Sequence, residues 1–444
     1  MHTLRILVLM VIATLCSAAA MRLYAQDIPN PLPDNEIFVQ KLENGLRLVV
    51  REDHSLHLVA MVVVVHAGSA AESNTYGKAH YLEHLVFQGT SHYPGPLAPQ
   101  NALEQAGGIS DAVTSRDMIR FQASAPSTQV EILVKVLADI MQTPALDTHS
   151  FSRERPTILA EIQQKDDNPL HALINHAYEL TYRTHPYRYA PTGSIEDVLG
   201  LTVDAVKAFH KRWYVPNNMS VVLVGDITPA RALQLVQEAF GAANSAKLPD
   251  PPPIDTEEIT KTIRQHYSRS LTGTYQVMVF AAPPVSEYAS LIATDILTTL
   301  LADGNDALLA ARWANADLAV GQFGIEFVST RAPGRFLIWA QTEPRQAIKL
   351  RDTTLTLLRA LAATPLPAET VTLARQRVAG QFLLENETYS QQASSLAFYE
   401  GLGDVHLGCR YTPGVQSVTA EQIRTAMPTN LLAWITLGQH PEGE

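Results

Sequence analysis

Three residues with metal-site chemistry, His80, Glu83 and His84, fall within the stretch Gly77-Lys78-Ala79-His80-Tyr81-Leu82-Glu83-His84-Leu85-Val86-Phe87-Gln88-Gly89-Thr90. No Pro or Gly interrupts residues 78 to 88, and Leu82, Leu85 and Val86 recur at helical spacing, which predicts a helix that Gly89 ends. Residues three and four apart share a helix face, so both imidazoles and the carboxylate point at one small volume. Two neutral imidazoles four apart can hold a zinc ion, and a carboxylate one turn from His80 can hold the water that the ion acidifies. That is the chemistry of hydrolysis. The order His-x-x-Glu-His reverses the commoner His-Glu-x-x-His. With 15 histidines among 444 residues, such a match arises by chance in roughly a few per cent of chains, so further agreement is needed.

A catalytic zinc commonly takes three protein ligands, and two histidines leave it one short. The segment from Phe151 to Asp166 supplies two acidic candidates, Glu154 and Glu161, seven apart and on one side of any continuous helix. Spacing alone does not choose between them. Pro156 lies between the two and lacks an amide donor, which predicts a helix beginning there with Glu154 out of register. His54, His57 and His66 have no partner at ligand spacing and read as surface or sheet-edge residues. His266, His406 and His440 form no ligand pair either.

The elements that must position these groups can be read in outline. Residues 38–41 and 46–50 read as strands joined by an Asn44-Gly45 turn, and 58–66 as a Val-rich strand buried on both faces. Residues 98–105 read as a helix stopped by Gly107-Gly108, and 118–123 as extended chain. Val130, Leu133, Val134, Leu137 and Ile140 make residues 128–142 an amphipathic helix. Asn244 to Glu257, with Pro249, Pro251, Pro252 and Pro253, reads as a stiff connector. Beyond it, strands are expected at 275–281, 325–328 and 335–341 and a helix at 286–301.

Composition bounds the class. The chain opens Met1-His2-Thr3-Leu4-Arg5, runs apolar from Ile6 to Cys16 and offers Ser17-Ala18-Ala19-Ala20. This describes a secretory leader over residues 1–25, cut after Ala20 or Ala25, and too short for a stable membrane span. A periplasmic or secreted protein is expected. Cys16 falls in that leader, so Cys409 alone remains and no internal disulfide forms. Without that leader, about 420 residues exceed one core. The net charge of -11 with no Lys/Arg block gives nucleic acid no electrostatic footprint.

The stretch from Gly77 to Thr90 resembles the signature of the pitrilysin/insulinase metallopeptidases, in particular their branch with processing peptidases. Gly107-Gly108-Ile109-Ser110-Asp111-Ala112-Val113-Thr114 resembles the family's Gly-Gly-x-x-Asn-Ala-x-Thr edge. Glu154-Arg155 with Glu161-Ile162 resembles the helix that completes the zinc ligands. His185-Pro186-Tyr187 with Pro191 and Gly193, and Tyr214-Val215-Pro216-Asn217-Asn218 leading into 221–226, resemble two further family segments. Together these blocks cover most of residues 37 to 227.

The resemblance implies an α+β protein of two similar halves, each a mostly antiparallel sheet packed with helices, closing over a chamber. Leader (1–25), zinc half (26–243), Pro-rich linker (244–257) and a second half without metal ligands (258–444) follow. It assigns His80, His84 and Glu161 to one zinc per chain, Glu83 to the general base, and Glu154 to a supporting carboxylate beside it. Asp111 and Ala112 fall on a substrate-binding edge, with Asp111 where the family has Asn. The second half of relatives brings an Arg and, seven residues on, a Tyr to the substrate. Here Val320 stands at the Tyr position, and Arg312, the substrate-binding candidate, is one residue out of step. The expectation is therefore a zinc endopeptidase of peptides or unfolded segments, forming a homodimer or a heterodimer with a second subunit that supplies Arg and Tyr. A non-catalytic binding or assembly subunit that keeps a metal site is the alternative, motivated by Val320, Asp111 and Pro156.

Overall fold

The computed structural model describes residues 28–250 and 259–443. The expected leader and half of the expected linker, residues 251–257, lie outside the described residues.

In the first half, β1 (Ile37–Lys41) and β2 (Arg47–Glu52) pair antiparallel around the Asn44-Gly45 turn, where Gly45 takes φ +89°. The chain continues through β3 (Leu58–Val65), α1 (Lys78–Leu85), α2 (Ala98–Gln105), β4 (Ile109–Thr114), β5 (Ile119–Pro126) and α3 (Val130–Gln142). After α4 (Thr148–Asp167), α5 (Pro169–Thr181), α6 (Ile195–Gly200) and α7 (Val203–Trp213) come β6 (Met219–Gly225) and α8 (Pro229–Phe240). The six strands lie in the order β1-β2-β6-β3-β5-β4, and only β2 and β6 run parallel.

The second half begins with β7 (Ile263–Ser268), β8 (Thr274–Ala282), α9 (Tyr288–Ala302), α10 (Leu308–Ala314), β9 (Val320–Phe327) and β10 (Gly334–Thr342). Then come α11 (Ala347–Ala363), α12 (Ala368–Leu384), α13 (Tyr389–Leu402), the short α14 (His406–Cys409), α15 (Tyr411–Ser417) and α16 (Ala420–Thr425), and last β11 (Ala433–Gly438). Its sheet runs β7-β11-β8-β10-β9, again with a single parallel pair, β7 with β11. Strand for strand this repeats β2-β6-β3-β5-β4. The two halves are one topology used twice.

Successive residues of a strand face opposite ways, and here both faces are covered. Met61, Val63, Val221 and Leu223 pack with α3 and α8, while Ala60, Val62, Val64, Val222 and Val224 turn to the other side. That side is covered by Tyr389, Ala393, Leu396 and Ala397 of α13, a helix of the second half. The exchange is mutual. Leu173, Ile174, Ala177 and Tyr178 of α5, a first-half helix, cover Val277, Val279, Leu337 and Ile435 of the second sheet. Polar ties follow the same route: Arg47 meets Glu400 at 2.5 Å, Ser220 donates to Glu400 at 2.8 Å, and Arg335 donates to Thr181 at 3.0 Å.

The stretch Val285–Ala302 is long and apolar enough to cross a membrane, yet its Leu291, Ile292, Ile296, Leu297 and Leu301 lie in this interior.

One expectation is corrected. The helix does not begin at Pro156 but runs unbroken from Thr148 to Asp167 with the proline inside it. Pro156 and Ser152 both lie on the exposed side. The carbonyl that loses its amide donor therefore lies on the wet side, where water can replace the missing hydrogen bond.

Candidate metal centre

The local sequence fixes α1 at both ends. Gly77 precedes it at φ +93°, and a Cβ there would stand 2.7 Å from the Thr192 carbonyl oxygen, so only glycine allows this approach. The orphan amides of the first turn are taken by a buried carboxylate: Glu72 accepts from the backbone N–H of Lys78 and of Ala79, each at 3.0 Å. Burial pushes Glu72 up to about 7, against the pull of those donors. Tyr81 stacks on Phe151 of α4 with ring centroids 4.3 Å apart and donates to its carbonyl at 2.5 Å, clamping the two helices. The helix ends at Leu85, four residues before Gly89.

Between those helices, His80 and His84 aim their Nε2 atoms at Glu161. The distances are 3.3 Å from His80 Nε2 to Glu161 Oε2 and 3.7 Å from His84 Nε2 to Glu161 Oε1. The ligand atoms of all three lie within 4.8 Å of one another. The other ring nitrogen of His84 faces Glu154, with Nδ1 to Oε2 at 3.7 Å. The continuous helix through Pro156 thus keeps Glu154 in register, one turn pair from Glu161 and behind the imidazole. Burial and the neighbouring His80 lower the His84 pKa, which favours the neutral imidazole a metal needs. His80 side-chain donation draws the Glu161 carboxyl down.

Glu83 lies beside this group without joining it. Thr114, the last residue of β4, donates to Glu83 Oε2 at 2.5 Å. Burial raises the Glu83 carboxyl above its usual range, the Thr114 bond opposes that, and Glu161 and Asp111 raise it further. Asp111 and Ala112 stand on β4, an edge strand whose outer side is unpaired. Arg312 is not brought to this place: it lies exposed on α10, lining an open surface cleft with Arg345, Lys349 and Asp352.

The donor set fits a zinc ion: two Nε2 atoms and one carboxylate converge, the second nitrogen of one imidazole is backed by another carboxylate, and a further acid stands alongside. Glu72 and Thr114 had no assigned role in the sequence. Thr114 is visible there only as part of the edge motif, and Glu72 only as an acid ahead of a helix start.

The fold and this donor set define a protein of the two-half metallopeptidase class. Residues 47–192 match the family description "Insulinase (Peptidase family M16)" and residues 200–378 match "Peptidase M16 inactive domain". The chain belongs to this insulinase family. It is 27% identical over 277 residues to Zinc protease PqqE of Helicobacter pylori, covering 60% of this chain and 61% of that protein. It is 25% identical over 295 residues to a probable mitochondrial-processing peptidase subunit beta of Arabidopsis thaliana, covering 64% and 54%. These matches span about half to three fifths of the relatives' own lengths. The crystal structure of a protease from Helicobacter pylori shares the fold at TM-score 0.84 and 22% identity, over 92% of this chain and 100% of that one.

Proposed function

We propose that the chain is a zinc-dependent endopeptidase that hydrolyses peptides or unfolded segments between its two halves, exported to the periplasm or beyond, and working as the zinc-bearing subunit of a dimer. The observation that carries this is the convergence of His80, His84 and Glu161 with Glu83 standing beside them outside the donor set.

His80, His84 and Glu161 would hold the ion, and Glu154 would fix the His84 ring through Nδ1. Zinc bound there supplies Lewis acidity to the scissile carbonyl and to the attacking water. Glu83, kept available for protonation by burial and kept ionisable by Thr114, takes a proton from the attacking water and returns it to the leaving amine. The free edge of β4 gives an extended peptide backbone partners next to Glu83. An edge strand in the second sheet, β9, holds the same topological place and opens with Val320, whose side chain offers no oxyanion donor. Such a donor is worth about 2.7–4 kcal/mol of barrier, and its absence here supports a partner subunit that brings one.

The test is Glu83→Gln in purified chain, alone and with any co-encoded relative, against unstructured peptides. Hydrolysis should fall about 10²–10⁴-fold while metal at the His80 site stays bound. Undiminished cleavage by this variant refutes the base assignment. Cleavage by no wild-type preparation favours the assembly-subunit reading, although Pro156 no longer argues for it.

A further inference from the structure

Among the described residues a second group of ligand-type side chains meets apart from the His80 group. Asp34, His406 and Cys409 place their donor atoms within 4.8 Å of one another. His406 and Cys409 are three apart on the single turn α14 and therefore face the same way. Asp34 arrives from the segment that enters β1, 372 residues earlier, with Oδ1 2.5 Å from His406 Nδ1. That segment is seated rather than loosely laid down. Leu32 is fully buried, Asn30 Nδ2 donates to the Cys409 carbonyl at 2.6 Å, and Gln416 Nε2 donates to the Ile28 carbonyl at 3.2 Å. Cys409 forms a buried floor while Asp34 is open to water.

Three uses compete. An ion pair between Asp34 and His406 accounts for two of the residues and leaves the thiol with only a weak bond to the Val405 carbonyl at 3.7 Å. A reactive thiol requires an exposed, electropositive setting, whereas Cys409 is buried beside the carboxylate of Asp34. Thiolate, imidazole and carboxylate together make a zinc donor set that leaves a fourth position to solvent, and two anionic ligands balance a divalent ion.

We propose that Asp34, His406 and Cys409 form a second zinc site, separate from the His80 centre, which ties the chain entering the first sheet to the second half just beyond α13. The expectation of one zinc per chain then becomes two.

Cobalt(II) separates the sites, because the His80 centre contains no sulfur and Cys409 is the only cysteine among the described residues. The leader-free chain should take up two cobalt ions and show a sulfur-to-cobalt charge-transfer band in the near ultraviolet. A His80→Ala/His84→Ala double variant should keep one ion and the full band. Asp34→Asn, at an exposed position, and Cys409→Ser should each lose the band and one ion while the His80 centre still fills. One cobalt per wild-type chain without a sulfur band overturns the proposal and leaves Asp34 and His406 as an ion pair. A band that survives Cys409→Ser overturns it as well. Neither result bears on the peptidase reading, which the double variant and Glu83→Gln test separately.

Discussion

The same two positions in the repeated topology hold opposite kinds of interface. In the first half, α1 meets α4 through His80, His84, Glu154 and Glu161 beside the stacked pair Tyr81 and Phe151. In the second, α9 packs on α12 through buried Ile292, Ile296, Val371, Ala374 and Val378, and neither helix contains a histidine. A buried helix contact can be spent on packing or on chemistry. The second half shows what the first gives up for a polar cluster of this kind, namely apolar burial worth about 1.5–3 kcal/mol per large side chain.

The comparison breaks most sharply at paired substitutions. Glu161→Gln should abolish metal uptake at the His80 centre and hydrolysis with it, while changing the unfolding free energy of the metal-free protein by no more than about 0.5 kcal/mol, as at other part-exposed sites. Ile296→Ala, its counterpart in kind, should lower stability by about 2–5 kcal/mol and leave metal content at the His80 centre unchanged. Denaturant unfolding together with metal analysis checks both. A large stability loss in metal-free Glu161→Gln would mean that the polar interface is also structural.

The helix starts differ next. Glu287 makes no side-chain bond at the start of α9, whereas buried Glu72 caps α1. The folded state raises Glu72 from 4.5 to about 7, so this group favours the fold fully at low pH and that contribution is lost as pH rises through about 7. The term is on the order of 3 kcal/mol. Glu72→Gln should therefore flatten the fall in melting temperature between about pH 5 and 8, read by thermal melts across pH.

Smaller effects sharpen the picture within the first half. Glu154→Gln should weaken zinc binding about 10–100-fold by releasing the His84 ring, as measured by competition with a chelator. Thr114→Val removes a donor that lowers the Glu83 pKa, so the acid limb of kcat/KM against pH should move to higher pH. An unmoved limb would separate Glu83 from that titration.

The helix with His80 and His84 and the remote carboxylate that meets it were legible for different reasons: His80, Glu83 and His84 share a face by spacing alone, and a matched second segment singles out Glu161. Most first-half strands were legible from such local spacing as well. Pro156 misled because propensity speaks of the helix interior in general, whereas this proline sits on the wet side. The last helices and the strands β7 and β11 went unread, their residues following no strong alternation. Asp34 with His406, and α13 on the first sheet, are contacts across hundreds of residues that no window of sequence contains.

The reciprocal loan of α5 and α13 sets an order on synthesis. Until residue 402 has left the ribosome, Val62, Val64, Val222 and Val224 lack the helix that covers them. A fragment stopped at the connector is therefore not a free-standing half but an adhesive half-product, and a nick in that connector should leave two pieces that stay married through denaturant concentrations well short of unfolding.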